Sequence, residues 1–248
     1  WVTYALIEAE KLGITSENID DTLANTTDPY IRRFLGLDDN LGEKLGLSND
    51  FVVQIIKQVG NYGEIYERNY PGLERDRNNL SENNGLLNSL PFAGTVPEDI
   101  PLIDNDSRDL LKAIKERGFV KVGVNGNRPG FSVQEPNGEW KGYDIELGKA
   151  VTAAVLGEPS KLEIVVQDFS LGFDDVANGV VDIFAAGVTH NLARDAERGV
   201  DFSPVYIYDG QGFLVRKNSG INFISDLEGR TFGLTASTTG LQYFEDYY

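Results

Sequence analysis

The chain has 248 residues, 41% of them hydrophobic, and carries 39 acidic against 22 basic side chains for a formal net charge of −17. That is enough chain to bury a core in one large or two small domains. The lack of cysteine excludes disulfides, thiolate metal sites and cysteine nucleophiles; the acidic balance argues against nucleic acid, which wants a basic face, and disfavours anionic membrane surfaces.

The N-terminal part reads as helices. Val2, Ala5, Leu6 and Ala9 recur at helical spacing and Gly13 supplies a stop. Asp28 and Pro29 form an N-cap followed by proline at the first helical position, and Gly36 closes that helix. Val52, Ile55, Ile56, Val59, Gly63 and Tyr66 make one stripe, predicted as a single longer helix whose Gly60 and Gly63 permit close packing. Such helices cover a sheet, and nothing in them has the look of catalysis. Trp1 opens inside an amphipathic pattern and the chain has no methionine, so the natural N-terminus is expected upstream. No signal peptide or lipid-attachment cysteine is present.

From Pro71 to Asn105 the composition shifts to Asn, Gly, Pro, Ser and Asp, which reads as a linker. After Ser107 helices and strands alternate. DLLKAIKER, stopped by Gly118, leads to the strand FVKVGVN. YDIELGKAVTAAVL, stopped by Gly157, leads to KLEIVVQDF, and LGFDDVAN, stopped by Gly179, leads to VVDIFAAGV. Alternation of this kind implies parallel βαβ units, whose ligands bind at the carboxyl ends of the strands. Asn125, Gly187 and Thr189 fall there. EPNGEWKG reads as a hairpin turn around Asn137 and Gly138. The longest apolar runs, such as VVDIFAAGV, are too short to span a bilayer, so direct membrane insertion is not expected.

Chemistry concentrates between Thr189 and Phe213, THNLARDAERGVDFSPVYIYDGQGF. Thr189 lies five residues before Arg194, just after an apolar strand. A strand-end hydroxyl with a guanidinium fork suits a small carboxylate; an ordinary surface arginine paired within RDAER is the plainer alternative. Thr238 and Thr239 follow the predicted strand TFGLTA and open a helix, where they cap N–H groups and can meet an anion. Phe131 fits either the core or a ligand wall, and Arg128 receives no role. His190 has no second histidine for metal spacing and no serine–acid set for a triad. Asp20, Asp21, Asp174 and Asp175 read as helix or loop charges. There is no P-loop, zinc spacing or dinucleotide fingerprint, and no cofactor is expected.

Residues 106–248 resemble the first part of a solute-binding protein of polar amino-acid ABC transporters, most nearly the general L-amino-acid-binding type. The Thr-x4-Arg-Asp element, the DFSPVYIYDGQGF run, GEWKGYDIELGKAVTAAVLG (138–157) and SDLEGRTFGLTASTTG (225–240) carry the resemblance, in the family's order. Residues 1–88, with ALIEAEKLGITSENID and IIKQVGNYGEIYERN, resemble the family's C-terminal end, so the segments stand in inverted order and most of the second lobe is missing. A fragment across the junction of two tandem binding units is the favoured explanation, against a permuted, shortened variant or an assembled chain.

The resemblance implies an α/β, type II periplasmic-binding-protein-like lobe with a parallel-rich sheet, plus an N-terminal all-helical segment. It divides the chain into a helical segment (1–70), a linker (71–105), a first ligand-binding lobe (106–216), and a hinge with the start of the second lobe (217–248). It implies a periplasmic, non-enzymatic component of an ABC importer, with a free L-amino acid and a membrane permease as partners. Arg194 and Thr189 would hold the ligand α-carboxylate, joined by Thr238 and Thr239 from the second lobe. Gly187 would line the site, Asn125 would contact the amino group and Phe131 would form a wall. AGVTHN departs from a more hydroxyl-rich and aromatic family version, which touches side-chain selectivity. The acidic group for the ammonium would lie in the missing segment, so the chain alone is expected to bind weakly. Two alternatives are a dehydratase-like enzyme, for which only His190 offers an acid or base, and a ligand-sensing receptor domain.

Overall fold

The computed structural model describes residues 1–38, 40–92, 105–210 and 212–247. The chain opens with α1 (Val2–Lys11), α2 (Ile19–Asn25), α3 (Pro29–Phe34), α4 (Leu41–Lys44), α5 (Phe51–Val59) and α6 (Tyr62–Asn69). At α3 the Asp28 carboxylate accepts from the N–H groups of Tyr30 (2.7 Å) and Ile31 (3.4 Å), and Pro29 takes the first helical position. This is the start that Asp-Pro encodes.

The stripe from Val52 to Tyr66 is two helices rather than the predicted one. Gly60 takes φ +97°, which ends α5. Asn61 then opens α6: its side-chain oxygen accepts from the Glu64 N–H (3.0 Å), and the Glu64 carboxylate accepts from the Asn61 N–H (2.8 Å). Each group satisfies a donor that the helix start would orphan, so local capping outweighs the continuing apolar period. Residues 71–92, expected to belong to a linker, fold onto these helices instead. Arg75 pairs with Glu10 (2.5 Å), Leu80 and Leu87 are buried, and Phe92 meets Trp1 and Phe34 edge-on. The rest of that expected linker, to residue 104, lies outside the described residues.

Next come α7 (Asn105–Arg117), β1 (Val120–Val124), β2 (Asn127–Arg128), β3 (Ser132–Gln134), β4 (Trp140–Lys141), α8 (Tyr143–Leu156), β5 (Leu162–Val166), α9 (Gly172–Ala177), β6 (Ile183–Phe184) and α10 (Leu192–Glu197). The sheet is parallel in the order β5–β1–β6, with Val122 opposite both Ile164 and Ile183. Of the predicted strand VVDIFAAGV, only Ile183 and Phe184 are in β6. A small antiparallel sheet, β2–β3–β4, carries the Asn137-Gly138 turn between its last two strands.

Val120, Val122, Val124, Ile114, Ile145 and Ala185 form a core around β1. Helix α8 is buried on nearly every side, because it packs on the sheet and also on α5. Gly148 lets it come close: a Cβ there would lie 3.4 Å from both Val122 and Leu162. The tie to the N-terminal helices is made by the Tyr62–Tyr143 ring contact (5.6 Å) and by Arg68 on Glu146 (3.0 Å).

Residues 1–206 make one compact unit and 207–248 a second. The second contains α11 (Thr239–Tyr247) and a chain of ring contacts from Phe213 through Phe232 to Phe244. TFGLTA, predicted as a strand, forms none; a strand needs a hydrogen-bonded neighbour, and none is present among the described residues of this unit.

Candidate functional site

Parallel pairing brings the carboxyl ends of β1 and β6 together. Gly123 stands opposite Phe184, so Asn125 and the Ala186–Gly187 step emerge at one edge of the sheet. Arg128, which follows in β2, reaches across. Its Nη1 donates to the carbonyls of Ala186 (3.0 Å) and Gly187 (3.2 Å), while its guanidinium lies 4.4 Å from the Phe131 ring centroid. Gly187 has φ +57°, and a Cβ there would come within 2.4 Å of the Arg128 nitrogen. The positive φ favours glycine, and without a Cβ the Arg128 guanidinium can lie against this residue unshifted. The Phe131 ring also meets Tyr70 edge-on (6.0 Å). Gly187 and Phe131 thus come together, and what joins them is an arginine to which sequence reasoning gave no role.

Arg194 lies on α10, whose start is fixed by the Asn191 side-chain oxygen accepting from the Arg194 N–H (2.9 Å). Its Nη1 donates to the Thr189 carbonyl (2.9 Å), five residues back. The half-buried guanidinium lies over Phe173 (5.4 Å) and Phe169 (5.8 Å). Burial lowers its pKa, and the Arg198 charge adds to the effect. Thr189 and Arg194 are thereby brought together, through the threonine's backbone carbonyl. Thr189 is exposed, and the equally exposed His190 stacks on Phe202 (4.6 Å between centroids, 10° between planes).

Thr238 and Thr239 belong to the second unit. The Thr238 hydroxyl donates to the Thr235 carbonyl (2.8 Å) and accepts from the Leu241 N–H (3.2 Å), which caps α11; Thr239 is that helix's first residue. Clefts of about 520 and 510 Å³ lie elsewhere: one is lined by Ser48, Asp50, Gln54 and Lys115, the other by Phe213, Ile224 and Phe232. Neither touches the residues at the carboxyl edge of the sheet.

A buried carboxylate beside this edge escaped sequence reasoning. Asp144, in the first turn of α8, is fully buried and accepts from the Tyr206 hydroxyl (2.6 Å). Burial pushes its pKa up to about 6, against the opposing pull of the Tyr206 bond, the Arg128 charge and the Gly187 amide. Tyr206 in turn stacks on Tyr143 (5.4 Å, 7°), and its carbonyl accepts from the Tyr62 hydroxyl (2.8 Å). From sequence, Asp144 reads as an acid complementing a helix start; only the fold buries it.

Residues 120–242 match the profile of the bacterial extracellular solute-binding proteins, family 3. Those residues, just under half of the chain, carry its likeness to that family. It is 34% identical over 142 residues to a general L-amino acid-binding periplasmic protein of Rhizobium johnstonii, covering 57% of this chain and 42% of the relative. It is 36% identical over 157 residues to a glutamate/glutamine/aspartate/asparagine-binding protein of Rhodobacter capsulatus, covering 63% and 46%. A solved ABC transporter periplasmic binding protein from Brucella ovis with glutathione bound superposes with a TM-score of 0.53 at 34% identity, covering 55% of this chain and 43% of that one. The fold is periplasmic-binding-protein-like, and the chain spans somewhat less than half the length of these relatives.

Proposed function

We propose that this chain carries the first ligand-binding lobe of an extracytoplasmic amino-acid-binding component of an ABC importer, acting with a membrane permease, and that Arg194 captures the ligand's α-carboxylate. The single observation behind this is the setting of Arg194. Its guanidinium stands half-buried over two aromatic faces, on the helix that follows β6, and ligands of parallel sheets bind at the carboxyl ends of the strands. The guanidinium fork suits a carboxylate and fixes its orientation. The Thr189 carbonyl pre-sets the side chain, so less conformational freedom is lost on binding.

Asn125 stands at the same edge for the ligand's amino group, with Gly187 and Phe131 along the adjoining wall. Within the second unit, Thr238 and Thr239 are assigned to an anionic group of the ligand, the capped start of α11 favouring an anion. Titration of the ¹⁵N-labelled chain with L-glutamine, followed by NMR, is expected to shift the amides between Gly187 and Arg194. L-Glutaminamide, which lacks the carboxylate, should not do so, and the response should vanish in Arg194→Gln. Equal shifts from the amide, or shifts that persist in the variant, would overturn the assignment.

A further inference from the structure

The end of β6 is held by a side chain rather than by the sheet. Pairing to β1 stops after two residues, and the last ladder bond runs from the Ala185 N–H to the Gly123 carbonyl (2.9 Å). Ala186 and Gly187 then leave the sheet, although Ala186 is fully buried. A buried carbonyl needs a donor, and Arg128 Nη1 supplies one to both residues (3.0 and 3.2 Å). The Gly187 N–H is turned to the Asp144–Tyr206 pair, so this step is engaged from two sides.

Arg128 is itself firmly supported. It pairs with Ser132 across β2 and β3, and the buried Ser132 hydroxyl accepts from the Gly126 N–H (3.2 Å). Its guanidinium lies on the Phe131 ring, which Tyr70, at the end of α6, meets edge-on (6.0 Å). Gly130 leaves room for the tyrosine, since a Cβ there would come within 2.5 Å of the ring. From Gly187 the chain takes two residues to reach Thr189, whose carbonyl accepts from Arg194 Nη1 (2.9 Å). Two residues span at most about 7 Å, so a displacement at Gly187 passes to Thr189 with little to absorb it.

We infer that Arg128 is a positioning residue: by fixing the Ala186–Gly187 step it sets Thr189 and, through it, the Arg194 guanidinium for the ligand. This rests on the reading of Arg194 given above. Without the two donations the step samples several conformations, and a fraction of the molecules present Arg194 ready to bind. Apparent affinity falls by that fraction, while the bound state stays the same.

NMR of the ¹⁵N-labelled full chain carrying Arg128→Met tests it, because methionine keeps an apolar stem over Phe131 and removes the donors. In the free variant the amides of residues 187–194 are expected to shift or broaden, while those of β1 keep the parent's positions. L-Glutamine should bind about tenfold more weakly, yet bring the Arg194 amide to the parent's bound-state shift. Arg128→Lys keeps the charge that acts on Asp144 and one donor group, and should bind about threefold more weakly than the parent. It carries the same comparison if the methionine variant loses the parent's circular dichroism. A lower melting temperature with glutamine affinity intact, or unchanged amides at 187–194, overturns the inference and leaves the Arg194 assignment standing. No response of the parent chain to L-glutamine removes both.

Discussion

At Asp144 burial works against charge. Its carboxyl is fully enclosed, Oδ2 has no hydrogen-bond partner, and the pKa rises to about 6. In the unfolded chain an aspartate titrates near its usual value of about 3.9. The folded state therefore holds the proton more tightly. Its contribution to stability is fully present below about pH 4 and is lost as pH rises to about 6, a loss on the order of 3 kcal/mol. Asp144→Asn keeps an acceptor for the Tyr206 hydroxyl and cannot ionise. It should raise the melting temperature at pH 7.5 and have little benefit at pH 4, as thermal scans at both pH values will show. No stabilisation at pH 7.5 would mean that Asp144 is not the strained group. At Gly187, alanine combines a left-handed backbone with a Cβ 2.4 Å from Arg128. Gly187→Ala should cost about 1–3 kcal/mol in denaturant titrations.

Among the elements, the break between α5 and α6 shows how local chemistry overrides a pattern. The apolar period runs on from Val59 to Tyr66, yet Gly60 and the Asn61–Glu64 box turn the chain. Asn61→Ala removes the cap and the buried donation from Asn61 Nδ2 to the Ile14 carbonyl (2.9 Å), and should lower stability by about 1–3 kcal/mol; Asn61→Asp keeps the capping acceptor but sets an oxygen against that carbonyl, and should not recover the full stability. A fully stable alanine variant would show that packing alone sets the break. The helices ending at Gly118 and Gly157 were legible because a glycine stop follows a periodic run, and both glycines take positive φ. The shortness of β6 was not legible: its apolar run is long enough for a full strand, but pairing to β1 extends over only two residues.

At the scale of the molecule, the N-terminal helices are part of the fold that carries the candidate site. Tyr62, from α6, holds Tyr143 and the Tyr206 carbonyl, so a segment distant in sequence braces the start of α8 and the end of the first unit. The second unit is different in kind, with exposed Leu214, Phe223 and Ile224 and no sheet among its described residues. Its amides should exchange with solvent faster than those of β1 and α8 in hydrogen-exchange mass spectrometry. A chain ending at Tyr206 should melt within a few degrees of the full chain. Loss of its cooperative transition would instead show that 207–248 support the first unit.

The sequence alone determined the alternation of helices and strands, the parallel sheet, and the spacing of Thr189 and Arg194, because periodicity, stop glycines and short-range spacing are local properties of the chain. Only tertiary structure decided that Arg128 locks Gly187, that Arg194 and Arg198 share one phenyl ring, and that Asp144 is buried. Those facts depend on which distant surfaces exclude water from one another, and separation along the chain does not encode it.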